Sequence, residues 1–118
     1  MRYGSRMPTK EELYDEGIDL VADGKVEAAI EKYRAAIALD PAYADAWQAL
    51  ALACNDLGRH EDAIAAAKKL VELAPDDELA HTTLSRVYQA ANMVPEAEAE
   101  GAKARMLSWK RQLKEGAS

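Results

Sequence analysis

Residues of one kind return along this chain at a fixed offset of 34, and nothing else in it restricts the possible folds as tightly. Gly24, Gly58 and Asn92 stand 34 apart, as do Ala29, Ala63 and Ala97, then Ala36, Leu70 and Ala104, then Leu39, Leu73 and Leu107. Pro41 and Pro75 keep the same spacing. Leu13, Trp47 and His81, with Leu20, Cys54 and Tyr88, form two further columns of bulky or apolar residues. A period of this length means stacked copies of one supersecondary unit, none of which can bury its apolar face alone. With 118 residues and 12.9 kDa there is room for three units, enough for a core that needs no disulfide or metal.

Each unit reads as a helical hairpin. Apolar residues recur at helical spacing, a Gly or Asn breaks the pattern, and a second helical stretch runs on towards Pro. Helices are expected over Lys10–Ala22, Val26–Leu39, Tyr43–Leu57, His60–Leu73, Asp77–Ala91 and Pro95–Lys114. Thr9 followed three residues later by Glu12 is a capping box, and Pro95 suits a first helical turn. Gly24 and Gly58 stand where a helix ends in left-handed backbone, and Asn92 is the next best residue for that conformation. Aromatics are only 6% with no Phe, so the core must come from Ala, Leu, Ile and Val, which favours close-packed helices over strands. The small columns Gly17, Ala51 and Ser85, and Ala29, Ala63 and Ala97, let helices approach at the short end of the usual separations.

The second unit carries Trp47, Leu50, Ala51, Leu57-Gly58-Arg59, Ala63, Leu70, Leu73 and Pro75, and in this it resembles the tetratricopeptide repeat family. The first unit keeps Gly17, Gly24, Ala29, Tyr33, Ala36 and Pro41 but has Glu16 where that family usually has Leu. The third keeps Leu84, Ser85, Tyr88, Ala97 and Ala104. The resemblance runs from Lys10 to Ser108. It implies an all-α, right-handed superhelical array of three helix-turn-helix hairpins with an extended last helix. The division expected is a flexible leader over 1–9, repeats over 10–43, 44–77 and 78–111, and a basic helix end and tail over 112–118. Met7 is an alternative start, with Met1 to Arg6 set apart from the fold.

Candidates for chemistry are few. Cys54, His81 and His60 fall in packing columns with Leu20 and Tyr88, with Trp47, and with Val26 and Val94, so apolar surroundings are expected for all three. A reactive thiol or imidazole needs a polarised, partly exposed site. Glu61-Asp62 and Asp76-Asp77-Glu78 sit at helix starts, where the dipole favours carboxylates. There is no Gly-rich phosphate loop. The reading is no enzyme, no cofactor and no metal site.

In such an array the first helix of each unit lines the concave side, so the candidate groove residues are Tyr14, Ile18, Gln48, Leu52, Asn55, Leu79, Thr82, Arg86 and Gln89, with Val21, Asp56 and Thr83 beside them. A lining of apolar and amide groups suits a peptide or protein segment; the alternative is a groove that is merely solvated or filled by the chain's own tail. Family members that clamp the carboxylate end of chaperone tails use a Lys and an Asn where Tyr14 and Ile18 stand here, an Asn where Ala49 stands, and a Lys and an Arg where Leu79 and Thr83 stand. That ligand class is not expected.

On the last helix, Ala97, Gly101, Ala104 and Ser108 face one way and Ala102, Met106, Trp109 and Leu113 the other. The second stripe, edged by Lys110, Arg111 and Lys114, has the composition of an interface, and homo-oligomerisation, another protein, end-capping and a missing fourth unit are the four ways to cover it. Charge is unevenly spread: Glu11 to Glu100 holds 7 Lys and Arg against 20 Asp and Glu, a net of −13, while both ends are basic. So acidic a body repels phosphate backbones, which makes nucleic acid or acidic lipid at the basic tail a minor rival. No segment reads as a secretory signal or membrane span, and the single cysteine, Cys54, fits a reducing, cytoplasmic setting.

Overall fold

The computed structural model describes residues 6–116. Among them lie six α-helices and no strand: α1 (Lys10–Ala22), α2 (Val26–Leu39), α3 (Ala44–Asp56), α4 (His60–Leu73), α5 (Glu78–Ala90) and α6 (Val94–Gly116). Residues 1–5 of the expected leader and 117–118 of the expected tail lie outside the described residues.

Local sequence sets the helix ends. Thr9 accepts a hydrogen bond from the Glu12 amide at 3.1 Å while the Glu12 carboxylate accepts from the Thr9 amide at 3.0 Å, closing the capping box of α1. Arg6 adds a bidentate pair to the same carboxylate at 2.7 and 2.9 Å. The carboxyl of Glu12 is thereby lowered to about 2, by Arg6 first and by the Thr9 amide next. The turn between the helices of each hairpin is one motif used three times. Gly24, Gly58 and Asn92 adopt φ of 79°, 73° and 63°, and the following amides of Lys25, Arg59 and Met93 reach back to the carbonyls of Leu20, Cys54 and Tyr88 at 2.8, 2.9 and 2.9 Å. Tyr43, Leu57, Asp77 and Ala91, expected as helical residues, are instead the caps of α3 and α5. The Asp77 side chain earns its place by accepting from the Leu79 amide at 3.0 Å. At the far end, α6 runs on to Gly116 for 23 residues, against 14 for α2 and α4.

The helices pair in order, α1 with α2, α3 with α4 and α5 with α6, and the pairs stack through α2 on α3 and α4 on α5. The first helices also touch, α1 with α3 and α3 with α5, whereas the first pair makes no contact with the third. The result is elongated: its radius of gyration is 15.9 Å, where a compact domain of this length has about 13 to 14 Å.

Alanine fills the seams. Ala29, Ala63 and Ala97 are all buried, and with them lie Tyr33, Cys54 and Val87, the largest fully enclosed side chains. At Gly17 a methyl group would stand 2.3 Å from Cε1 of Tyr33 and within 2.9 Å of two more ring atoms, so this position must be Gly for α2 to rest its tyrosine ring on the backbone of α1.

Candidate functional site

Three ladders of side chains, repeated at the 34-residue offset, cross the concave side from α1 to α3 to α5: Tyr14, Gln48, Thr82; Ile18, Leu52, Arg86; and Val21, Asn55, Gln89. The structure gathers Tyr14, Ile18, Val21, Gln48, Leu52 and Asp56 around one depression of about 270 Å³, floored by Tyr33, Ala49 and Ala53. The Tyr14 ring leans on Tyr33 and Tyr43 with centroids 6.0 and 5.7 Å apart, and burial first, then nearby Asp45 and Asp15, raises its hydroxyl above the usual tyrosine range. It therefore serves as a neutral, largely apolar wall. A second depression of about 460 Å³ is lined by Gln48, Leu79, Thr82, Thr83, Ser85, Arg86 and Gln89. Gln48 lines both, so the two depressions adjoin at its side chain. Asn55 lines neither; its Oδ1 is buried without a hydrogen-bond partner.

Polar groups in the groove are partly committed. The Thr83 hydroxyl, on a buried side chain, donates to Gln48 Oε1 at 2.9 Å and leaves the Gln48 amide hydrogens unbonded. The Thr82 hydroxyl is spent on the Glu78 carbonyl at 2.9 Å. Arg86 is exposed and enters no ion pair or hydrogen bond among the described residues.

The three residues considered for chemistry are placed differently from one another. Cys54 is fully buried, and burial foremost, with Asp62 adding, raises its thiol, against the opposite pull of Arg34 and Arg59. His60, expected at a packing position, is exposed, because as the first residue of α4 it projects beyond the hairpin seam. His81 is buried, but its neighbours are polar rather than apolar. Nδ1 lies 2.8 Å from Glu100 Oε1, and Nε2 lies 2.7 Å from the Pro75 carbonyl. Trp47, 34 residues earlier, makes the equivalent bond from Nε1 to the Pro41 carbonyl at 2.8 Å. Burial alone would raise the Glu100 carboxyl, but hydrogen bonds from Lys103, at 2.8 Å, and His81 lower it. Glu100 is absent from the sequence-based candidates; its signal would have been an acid on the packing face of α6, between Ala97 and Ala104. No cluster of three metal-ligating side chains occurs among the described residues, and no described helix is long and apolar enough to cross a membrane.

Comparison with known proteins places this geometry in a family. The tetratricopeptide repeat model matches residues 14–78, more than half of the chain. The chain belongs to the tetratricopeptide repeat family. An uncharacterized protein of Methanocaldococcus jannaschii is 45% identical over 53 residues, 45% of this chain and 62% of that protein. The crystal structure of MamA superposes with a TM-score of 0.83 at 29% identity over 88% of this chain and 61% of that one. This chain thus spans less than two thirds of either relative. Two further structures share the fold. The second tetratricopeptide repeat domain of Spaghetti (RPAP3), bound to an HSP90 peptide, has a TM-score of 0.79 at 23% identity, covering 84% of this chain and 92% of that one. The Yersinia enterocolitica type III secretion translocator chaperone SycD has a TM-score of 0.81 at 20% identity, covering 97% and 87%. The array is a tetratricopeptide repeat fold, the architecture of a protein-interaction module.

On the last helix of this tetratricopeptide repeat array, Ala97 is buried and its carbonyl accepts from Ser85 Oγ at 2.7 Å, while Ala102, Met106, Trp109 and Leu113 are exposed on the other side. Met106, Trp109 and Leu113 keep 56, 58 and 56% of their surface in solvent. Arg111 ties this extension back to α5 through Glu78 at 3.0 Å.

Proposed function

We propose that this chain is a non-catalytic interaction module that holds a segment of a partner protein in the groove of α1, α3 and α5. The observation that carries the reading is the groove itself: an apolar depression at Tyr14, Ile18 and Leu52 lies beside unbonded polar groups of Gln48 and Arg86. Such a surface binds a backbone through amides and side chains through pockets. The peptide-bound Spaghetti (RPAP3) domain lends support by its shared fold. Tyr14, Ile18, Ala49, Leu79 and Thr83 stand where the chaperone-tail clamp needs other residues, so the partner is of another class. We also infer a cytoplasmic setting, which suits the one buried, unpaired thiol of Cys54. The test is selection from a displayed library of random peptides. Enriched peptides should bind the chain and lose binding with Ile18→Asp, a change at an exposed side chain; peptides indifferent to Ile18→Asp would place binding elsewhere.

A second reading has its own observation in the exposed stripe of Met106, Trp109 and Leu113. In it the chain self-associates through α6 as a scaffold. Light scattering across a concentration range decides: a dimer or larger species lost with Trp109→Ala supports it, and a monomer throughout removes it.

A further inference from the structure

Resting on the groove reading above, we propose that the occupant is an extended segment of another protein bound in one direction, with a bulky apolar side chain against Ile18 on α1 and a single carboxylate at Arg86 on α5, about six residues away. The three ladders carry the argument. Each changes character from the first unit to the third: Tyr14, Gln48, Thr82 runs from aromatic to hydroxyl, Ile18, Leu52, Arg86 from aliphatic to cation, and Val21, Asn55, Gln89 from aliphatic to amide. The groove is therefore apolar at one end, amide in the middle and cationic at the other. A uniform ligand could not match it, and a reversed one would set its carboxylate against Asp56, which lines the apolar depression.

Hydrogen-bond bookkeeping points the same way. Thr83 fixes Gln48 by its oxygen and leaves both amide hydrogens of Gln48 to be donated, and Arg86 offers a guanidinium with no described partner. At the third-unit end the Arg86 guanidinium awaits an acceptor, and a carboxylate is the planar acceptor that a guanidinium fits best. A polyanion is excluded by the net charge of −13 over Glu11 to Glu100; one acid matched to one arginine is not. Packed helices stand about 8 to 10 Å apart. Ile18 and Arg86 are two such steps apart, which an extended chain rising about 3.3 Å per residue covers in about six residues.

The experiment uses labelled ten-residue peptides of serine and threonine carrying one Trp and, six residues on, one Glu. One twin has Gln for the Glu and another has the Glu two residues from the Trp. Fluorescence anisotropy against the chain should show the six-spaced Glu peptide binding about fivefold more tightly than either twin. The preference should vanish with Arg86→Gln and shrink with added salt. Equal affinity for all three peptides, an equal loss for all of them with Arg86→Gln, or no binding at millimolar concentration overturns the assignment. Binding without preference that Ile18→Asp still abolishes leaves the groove reading intact, whereas binding indifferent to Ile18→Asp removes both. Self-association that Ile18→Asp and Arg86→Gln abolish would put a second copy in the groove and also overturn the proposal.

Discussion

Gly17 and Gly101 both lie in helix interiors, and the same substitution should have opposite effects at them. Replacing a helical Gly with Ala stabilises by about 1 kcal/mol when nothing else changes, since Gly loses more backbone freedom on folding. At Gly101 the added methyl would meet Arg105 Nη1 and Ser85 Oγ at 3.5 Å, ordinary contact, so Gly101→Ala should keep about 0.5 to 1 kcal/mol of that gain. At Gly17 the methyl would stand 2.3, 2.8 and 2.9 Å from three atoms of the Tyr33 ring. That ring is enclosed and wedged between α1 and the rest of the core, so it cannot swing aside without opening the first hairpin. Overpacking costs about 1 to 3 kcal/mol, and with three atoms of a rigid ring in the way the upper end applies. Net of the propensity gain, Gly17→Ala should destabilise by about 2 kcal/mol. Urea unfolding followed by circular dichroism reads both variants on one scale, and in a chain of this size each kcal/mol also moves the thermal midpoint by about 4 °C. A stabilised Gly17→Ala, or a Gly101→Ala that loses more than about 1 kcal/mol, would refute the argument that the Tyr33 contact decides the sign.

Ala63, fully buried between α3 and α4, should tolerate no larger side chain: Ala63→Leu should cost about 1 to 3 kcal/mol, and an unchanged thermal midpoint would contradict it. Glu100, with a carboxyl held below its ordinary value of 4.5, contributes stability that is fully present above that value and lost as pH falls through the lower folded one. Glu100→Gln should therefore destabilise by about 1 to 3 kcal/mol at pH 7, with the difference shrinking below pH 4.5; urea midpoints giving a constant difference from pH 7 to pH 3 would count against it. Gly58, at φ of 73° with open space around it, separates strain from clash: Gly58→Ala should cost about 1 kcal/mol, and Gly58→Asn less, in the same unfolding assay. Cys54 should resist a thiol reagent in the native chain and react in urea; fast native labelling would show that the central seam opens.

The hairpins were legible in the sequence because their determinants are local. Gly24, Gly58 and Asn92 announce left-handed turns, and Thr9 with Glu12 announces a start; these act through a few neighbouring backbone groups, whatever the rest of the chain does. Periodicity also pointed to Tyr14, Ile18, Gln48, Leu52, Leu79, Thr82, Arg86 and Gln89, which line the two depressions, but it grouped with them Asn55, which lines neither. What escaped depends on partners far along the chain. His81 occupies the column of Trp47, and a bulky column reads as apolar, yet what the two share is an N–H aimed at a proline carbonyl six residues back. Pro41 and Pro75 were visible as a column of their own, and only three-dimensional proximity joins the two columns. Glu100 was hidden for the same reason, as an acid whose partners lie on α5 and one turn further along α6. The orphaned oxygen of Asn55 is a matter of geometry that no spacing rule encodes.

That the first hairpin never touches the third also governs how the chain reaches its shape. Every pairing that must form is between immediate neighbours, so little loop entropy is spent before contacts begin to reward it, and folding should run on the fast side, from microseconds to milliseconds. Opening is graded in the same way. The outer hairpins are each held on one flank and the middle one on both, so amide exchange should proceed inward from the ends and leave α3 and α4 as the last protons to go.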